Sequence, residues 1–549
     1  MTAKNGAVLP SSRRALASVC LLLAALLGVT GGGLSAGGAE EPDRRQARAE
    51  QGRDEQDRDV RRPAAAPAAA PAVAAKQRRP NIVLITTDDQ TDTDMSAMPR
   101  TRRLLGDKGV DFVRAISPHP LCCPARASLL TGQYAHNNGV EHNDGPYGGW
   151  DRFRSFEEGV HLRRNLGTYL QDAGYTTGFI GKMLNGYAAD RRRPRGWDLW
   201  DPTLGRTYAF VDTDFENDGD PETPKGYIAD VMADRADRFL RRASERGRPF
   251  FLWASHVAPH DGTVNGRFIG EPIPAPRHRD LHRKAKPPSL KRSSFNEEDV
   301  SDKPRYLRRR TASRKDMTHL HRQRLRSLAA VDEANAAMLR RLKKLGELED
   351  TLVVFTSDNG FLLGEHRLRG KNFPYEENLQ VPLLVRGPGL DRGVRSTAPA
   401  SIVDLPATFL DAAGVWETAS QRRRVDGASL LPAARGAEST GLSGTALVQA
   451  GTSLAAARKK GHGWLFRGVR TARYTYVRHH TGEVELYDRD VDPHQVRNLV
   501  HVGSGKLTRR GKEYADVLAE LKRRLRALDD CRGSKQCEKA FGPTPDPGS

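Results

Sequence analysis

From residue 80 onward this chain alternates short apolar runs with stretches whose apolar side chains recur every three or four positions, and that alternation leaves few architectures open. Residues 81–85, 175–180, 249–254 and 351–355 read as buried strands. Between them, residues 162–173, 232–244 and 325–345 read as helices, the first stopped by Gly174 and the last by Gly346. Strand and helix in repeated alternation predict an α/β fold, a large mostly parallel sheet flanked by helices, over residues 80–439. The pattern then changes. Residues 469–477 and 483–487 read as a hairpin and 514–528 as a closing helix, which predicts a smaller α+β subdomain at 440–540.

What precedes residue 80 has a different character. Lys4, Arg13 and Arg14 lead into an apolar run over 15–29 and small residues through Ala39, the layout of an export signal over 1–39. The run is too short to favour a membrane span, so the mature chain is expected to be secreted and to lack one. Ser12-Arg13-Arg14 fits a twin-arginine signal and an ordinary basic leader equally, which leaves both the twin-arginine and the Sec route open. Cys20 lies early in the apolar run, which argues against a lipid anchor there. Residues 40–79 are a low-complexity mixture of Glu, Asp, Arg, Gln, Pro and Ala and read as a disordered linker.

Charge is concentrated as well. Of the formal +20, the segment 277–326 carries 17 Lys and Arg against 6 Asp and Glu. Such a run suits either docking of a polyanion, including a sulfated glycan, or a solvated insertion.

Polar motifs sit directly after the strands, where open α/β sheets bind ligands. Thr86-Thr87-Asp88-Asp89-Gln90 follows the first, and Thr356-Ser357-Asp358-Asn359-Gly360 follows the strand at 351. Three carboxylates and an amide oxygen suit a hard cation, Ca²⁺ or Mg²⁺, and would repel one another without one. Leu121-Cys122-Cys123-Pro124-Ala125-Arg126 puts proline where a first helical turn begins and so places Cys122 at a helix N-terminus, a position that favours anions.

Cys122-Cys123-Pro124-Ala125-Arg126, with Thr131-Gly132 behind it, resembles the signature of the sulfatases of the alkaline phosphatase superfamily. The likeness extends through Gly181-Lys182, Ala258-Pro259-His260, Gly364-Glu365-His366, Lys371 and Asn498-Leu499. It implies that Cys122 is oxidised by a formylglycine-generating enzyme to 3-oxoalanine, whose hydrate is the nucleophile. It also implies that Asp88, Asp89, Asp358, Asn359 and the modified Cys122 hold Ca²⁺, with Mg²⁺ as the alternative. Arg126 would steady the site, Lys182 and Lys371 would bind sulfate oxygens, and His260 would protonate the departing alcohol. The second histidine of a Gly-Lys-Trp-His pattern is absent from Gly181-Lys182-Met183-Leu184-Asn185. Asn185 is its candidate replacement, and His366 is a second candidate substrate contact. The Lys-x-Leu-Asn pattern, the doubled cysteine and Tyr134-Ala135-His136-Asn137-Asn138 resemble the N-acetylglucosamine-6-sulfatase branch.

With Cys20 removed and Cys122 converted, Cys531 and Cys537 are close enough for a local disulfide, and Cys123 is left packed behind the site. A zinc site on that pair is the weaker reading, because no histidine lies nearby. Two other functions fit part of the pattern. One is a phosphonate or phosphate monoester hydrolase of the same superfamily, and the other is a non-catalytic polyanion-binding protein using residues 277–326.

Overall fold

The structure is a computed structural model that describes residues 79–416, 423–437, 442–452 and 463–548. The expected export signal and all but the last residue of the expected linker lie outside these residues. No helix among those described is long and apolar enough to cross a membrane.

Eight strands form the main sheet: β1 (Asn81–Thr87), β2 (Val110–Phe112), β3 (Thr176–Gly181), β4 (Leu199–Pro202), β5 (Phe250–Ser255), β6 (Thr351–Ser357), β7 (Leu383–Arg386) and β8 (Val394–Ser396). Their order is β8-β2-β7-β6-β1-β5-β3-β4. Only β7 runs against the others. The four central strands β6, β1, β5 and β3 are buried along their whole length, which is why they read as continuous apolar runs. Alternate residues of β1 face opposite layers. Ile82 and Leu84 pack with Leu129 and Leu130 of α1 (Cys122–Thr131). Val83 and Ile85 pack with Met232 and Leu240 of α2 (Ile228–Glu245) and with Leu328 and Leu339 of α3 (Arg314–Lys344).

Two helices differ from expectation for local reasons. The helix expected over 162–173 is broken, because the Asn165 side chain accepts a hydrogen bond from Gly167 N and starts a new helix there. α3 begins eleven residues before Leu325: Ser313 caps it by accepting from Asp316 N, and Met317 and Leu320 extend its buried stripe among basic neighbours.

The C-terminal part is an antiparallel sheet of four strands, β9 (Thr445–Gly451), β10 (Trp464–Thr471), β11 (Tyr474–His479) and β12 (Val484–Asp488), covered by α4 (Ala515–Leu528). Leu447, Val469, Leu486, Val517 and Leu521 form its core. Cys531 and Cys537 are disulfide-bonded behind α4. Arg470 closes on Glu376 through two hydrogen bonds of 2.8 Å, which fastens this sheet to the main body.

Candidate active site

Strand register builds the site. Thr87 lies opposite Ser357, Thr86 opposite Ser255, and Gly181 opposite Ser255. Four parallel strands therefore end at one level, and their next residues, Asp88-Asp89, Asp358-Asn359, Lys182 and the loop to His260, fall side by side. Gly181 is required at its turn: its φ is +108°, and a Cβ there would lie 2.1 Å from the Ser255 carbonyl oxygen.

The fully buried Asp358 carboxylate joins two of these loops. Its Oδ1 accepts from Asp89 N at 3.1 Å and its Oδ2 from Arg126 Nε at 2.8 Å. Arg126, 1% exposed, also donates to the Lys182 carbonyl at 2.8 Å and to Ser255 Oγ, so one guanidinium ties α1 to the ends of β3, β5 and β6. Lys182 Nζ contacts Asp88 Oδ2, and Lys371 Nζ lies 2.5 Å from Asp89 Oδ1 and 3.6 Å from Cys122 Sγ. Asn359 Nδ2 donates to Asp89 Oδ1 at 2.7 Å. His260 Nδ1 donates to the Asp261 carbonyl at 2.9 Å, and its Nε2 stands 3.9 Å from Asp89 Oδ2.

Burial alone would raise the Asp88 pKa, but Lys182, His260, Lys371 and Arg126 together hold it well below the usual carboxylate range. Asp358 is pushed the other way by burial and by Asp88. Two adjacent buried carboxylates that resist joint ionisation fit a divalent cation. Ligand atoms of Asp88, Cys122 and Asp358 lie within 4.8 Å of one another. Asp88 Oδ1 and Asn359 Oδ1 are buried and accept no hydrogen bond, which leaves both free to coordinate.

All nine residues expected in the nucleophile, metal and sulfate roles come together here. Asn185 stands one step back: its Oδ1 accepts from Tyr208 OH at 3.2 Å and its N–H points to Cys123 Sγ at 3.1 Å. His366 does not reach the cluster. It is buried, bonded to Glu297 Oε2 at 2.7 Å and stacked on Tyr375 at 4.0 Å, and so belongs to the support of the loop carrying Lys371. His136 and Asn137 contact the Cys531 carbonyl, and Asn137 also donates to Asp426, so this part of the branch-like motif joins the two parts of the fold.

Four residues of the site carried no signal in the motifs. Asn143 Oδ1 accepts from Cys123 N at 3.0 Å and lies 3.4 Å from Cys122 Sγ. Ser255 receives Arg126. Tyr208 stacks on His260 with centroids 4.5 Å apart. Arg324 of α3 donates to the Asp89 carbonyl and to Asp94 Oδ2, holding Asp89 at its left-handed φ of 71°.

Part of the segment 277–326 is committed to internal ion pairs. Arg277 pairs with Asp230 and Glu333, Arg292 with Glu365 and Glu377, and Lys303 with Glu297 and Asp302. A cavity of about 420 Å³ beside it is lined by Asp92, Glu365 and Glu377 as well as by Arg114, Arg292 and Arg489. Such a mixed lining is no cradle for a polyanion.

This chain belongs to the sulfatase family. The sulfatase family model matches residues 80–415, and a model described as N-sulphoglucosamine sulphohydrolase, C-terminal, matches residues 364–530. An arylsulfatase of Volvox carteri is 34% identical over 386 residues, covering 65% of this chain and 59% of the relative. An N-acetylglucosamine-6-O-sulfatase of Bacteroides thetaiotaomicron is 28% identical over 529 residues, covering 82% of this chain and 88% of the relative. A solved structure described as being in complex with its substrate D-glucosamine-2-N,6-O-disulfate superposes with a TM-score of 0.64 at 27% identity, over 82% of this chain and 97% of that one. The chain spans between 32% and 59% of the length of four of the curated relatives it matches.

Proposed function

We propose that this chain is a secreted sulfatase that hydrolyses sulfate esters with a formylglycine at position 122 and one Ca²⁺, or Mg²⁺ in its place. The observation that carries this reading is the meeting of three carboxylates and three basic groups around Cys122 at the start of a ten-residue helix. A hydrated aldehyde at 122 would supply one hydroxyl to attack sulfur and a second to let sulfate leave by C–O cleavage. A bound cation would neutralise the carboxylates and polarise a sulfate oxygen.

The remaining steps belong to the side chains. Lys182 and Lys371 sit on flexible stems against carboxylates and can turn their ammonium groups to sulfate oxygens. Because a carbonyl only accepts, His260 carries hydrogen on Nδ1, and in the imidazolium form the second proton, on Nε2, is the one it can give to the departing alcohol oxygen, which leaves the ring neutral. The names of the relatives support a sulfated amino sugar, of the N-acetylglucosamine 6-sulfate type, as substrate.

Matched 4-nitrophenyl sulfate and phosphate test the reaction. We expect the higher kcat/KM on the sulfate, together with an aldehyde at position 122 by mass spectrometry of its peptide. A preference for phosphate would move the chain to the phosphorus-ester hydrolases, and a plain thiol with no turnover would leave only the polyanion-binding reading.

Polyanion docking by 277–326 would use its exposed basic residues, Arg309 and Arg310 among them. Arg309 and Arg310 are exposed and form no side-chain ion pair, whereas Arg308 donates to the carbonyls of Ser301 and Lys303. If the segment docks a sulfated chain, Arg309→Gln with Arg310→Gln raises KM for a sulfated oligosaccharide about twofold to tenfold and flattens its salt dependence, with little change on an aryl sulfate. An equal change on both substrates, or none on either, makes the segment a solvated insertion.

A further inference from the structure

Beside the charged cluster stands a feature that none of the roles above uses. Thr263–Val264 pairs antiparallel with Arg267–Phe268, and the connecting Asn265 and Gly266 both have positive φ, 49° and 74°, the signature of a two-residue type I′ turn. The root of this hairpin is fixed. Thr263 N donates to the Tyr208 carbonyl at 2.7 Å, Gly262 N to the Glu271 carbonyl at 2.8 Å, and Arg369 to the Gly270 carbonyl. Gln323 of α3 donates to Glu271 at 3.3 Å. Three apolar side chains along the hairpin are nonetheless uncovered: Val264, Phe268 and Ile269 are 48, 59 and 44% exposed. Strand alternation puts Phe268 on one face and Val264 on the other, so the exposed ring of Phe268 stands by itself beside Tyr208 and His260.

The rings say where that occupant lies. Tyr208 stacks on His260 at 4.5 Å, and Phe268 meets Tyr208 at 5.2 Å and His260 at 6.0 Å. The three rings form one cluster: Tyr208 also lies 5.0 Å from Lys182 Nζ, and Phe268 is the exposed member beside the imidazole assigned to the departing oxygen. A group bonded to that oxygen has this exposed ring within reach.

We propose that the Asn265–Gly266 hairpin is a carbohydrate subsite, on which Phe268 stacks against the apolar C–H face of the pyranose that carries the sulfate. This rests on the assignment of His260 as the proton donor in a sulfatase. A pyranose suits the surface because it offers one apolar face to an exposed aromatic ring and a hydroxyl rim to the polar groups of the site. A second protein chain would need far more than this two-residue-strand arm to form a stable interface.

Phe268→Ala is the test, with Phe268→Trp as the conservative partner, both in the full chain. We expect KM for N-acetylglucosamine 6-sulfate to rise about tenfold in the alanine variant while kcat stays within about twofold, and tryptophan to restore KM. Inhibition by inorganic sulfate should not change, because the sulfate cations are untouched. Binding of the same sugar to the Cys122→Ser chain, with and without Phe268→Ala, gives a readout that does not need turnover. A KM and a Kd that ignore Phe268, or a sulfate inhibition constant that rises with them, would overturn the subsite. Phe268-dependent sugar binding in a wild-type chain that hydrolyses no sulfate ester would instead overturn the function and keep the subsite.

Discussion

Cys122→Ser is expected to stop multiple turnover, with kcat falling by about 10³-fold or more, while the melting temperature stays near that of the wild-type chain. The side chain is fully buried at the first turn of α1, next to Asn143 Oδ1 and within 3.6 Å of Lys371 Nζ, and a hydroxyl is close enough in size to keep this packing. Serine offers one hydroxyl. It can accept a sulfuryl group once but has no second hydroxyl through which to expel sulfate, so at most one equivalent of alcohol per chain should appear, without free sulfate. Steady release of sulfate by the serine variant would defeat the formylglycine assignment.

The second large effect is expected at Asp358. Its carboxylate joins Asp89 N to Arg126 Nε inside a fully buried site, so Asp358→Ala removes a candidate ligand and leaves the Arg126 guanidinium with less compensation. Loss of one partner of a buried pair costs about 3–5 kcal/mol, which would confound the result with unfolding. Asp358→Asn keeps the shape and removes only the charge. In that variant, bound Ca²⁺ after dialysis should fall well below one per chain, and sulfatase activity should fall at least about 10²-fold. Chelation of the wild-type chain should produce the same loss, restored by adding Ca²⁺. Unchanged metal content in Asp358→Asn would place the cation elsewhere.

Much of this centre was legible because the chemistry sits one residue beyond strands that cannot be mistaken. Runs such as Val83-Leu84-Ile85 and Val353-Val354-Phe355 are apolar on both faces, so their ends could be found, and Asp88 and Asp358 follow within three residues. What stayed hidden depends on partners distant in sequence. Arg324 lies 235 residues from the carbonyl it holds, and nothing in its own neighbourhood separates it from the other arginines of a basic stretch. The start of α3 was obscured for the same reason. Tyr208 and Asn143 come from irregular segments without periodicity. The reversed direction of β7 is a property of its connections and not of Leu383-Leu384-Val385. His366 shows the opposite error: its neighbours in the motif lead to Lys371, but the backbone turns its ring inward onto Tyr375.

The shared level of the strand ends has one more consequence. The candidate site occupies one rim of the sheet, and the parallel strands enter from the opposite rim. It is reached just before β3, β5 and β6 through turns at Gly174, Gly247 and Gly346, each with open space beyond its Cα. A tether spliced into any of these turns would leave on the side away from His260 and Phe268. A chain anchored to a solid support in that way would present its mouth outward, to polymers too long to enter a porous resin.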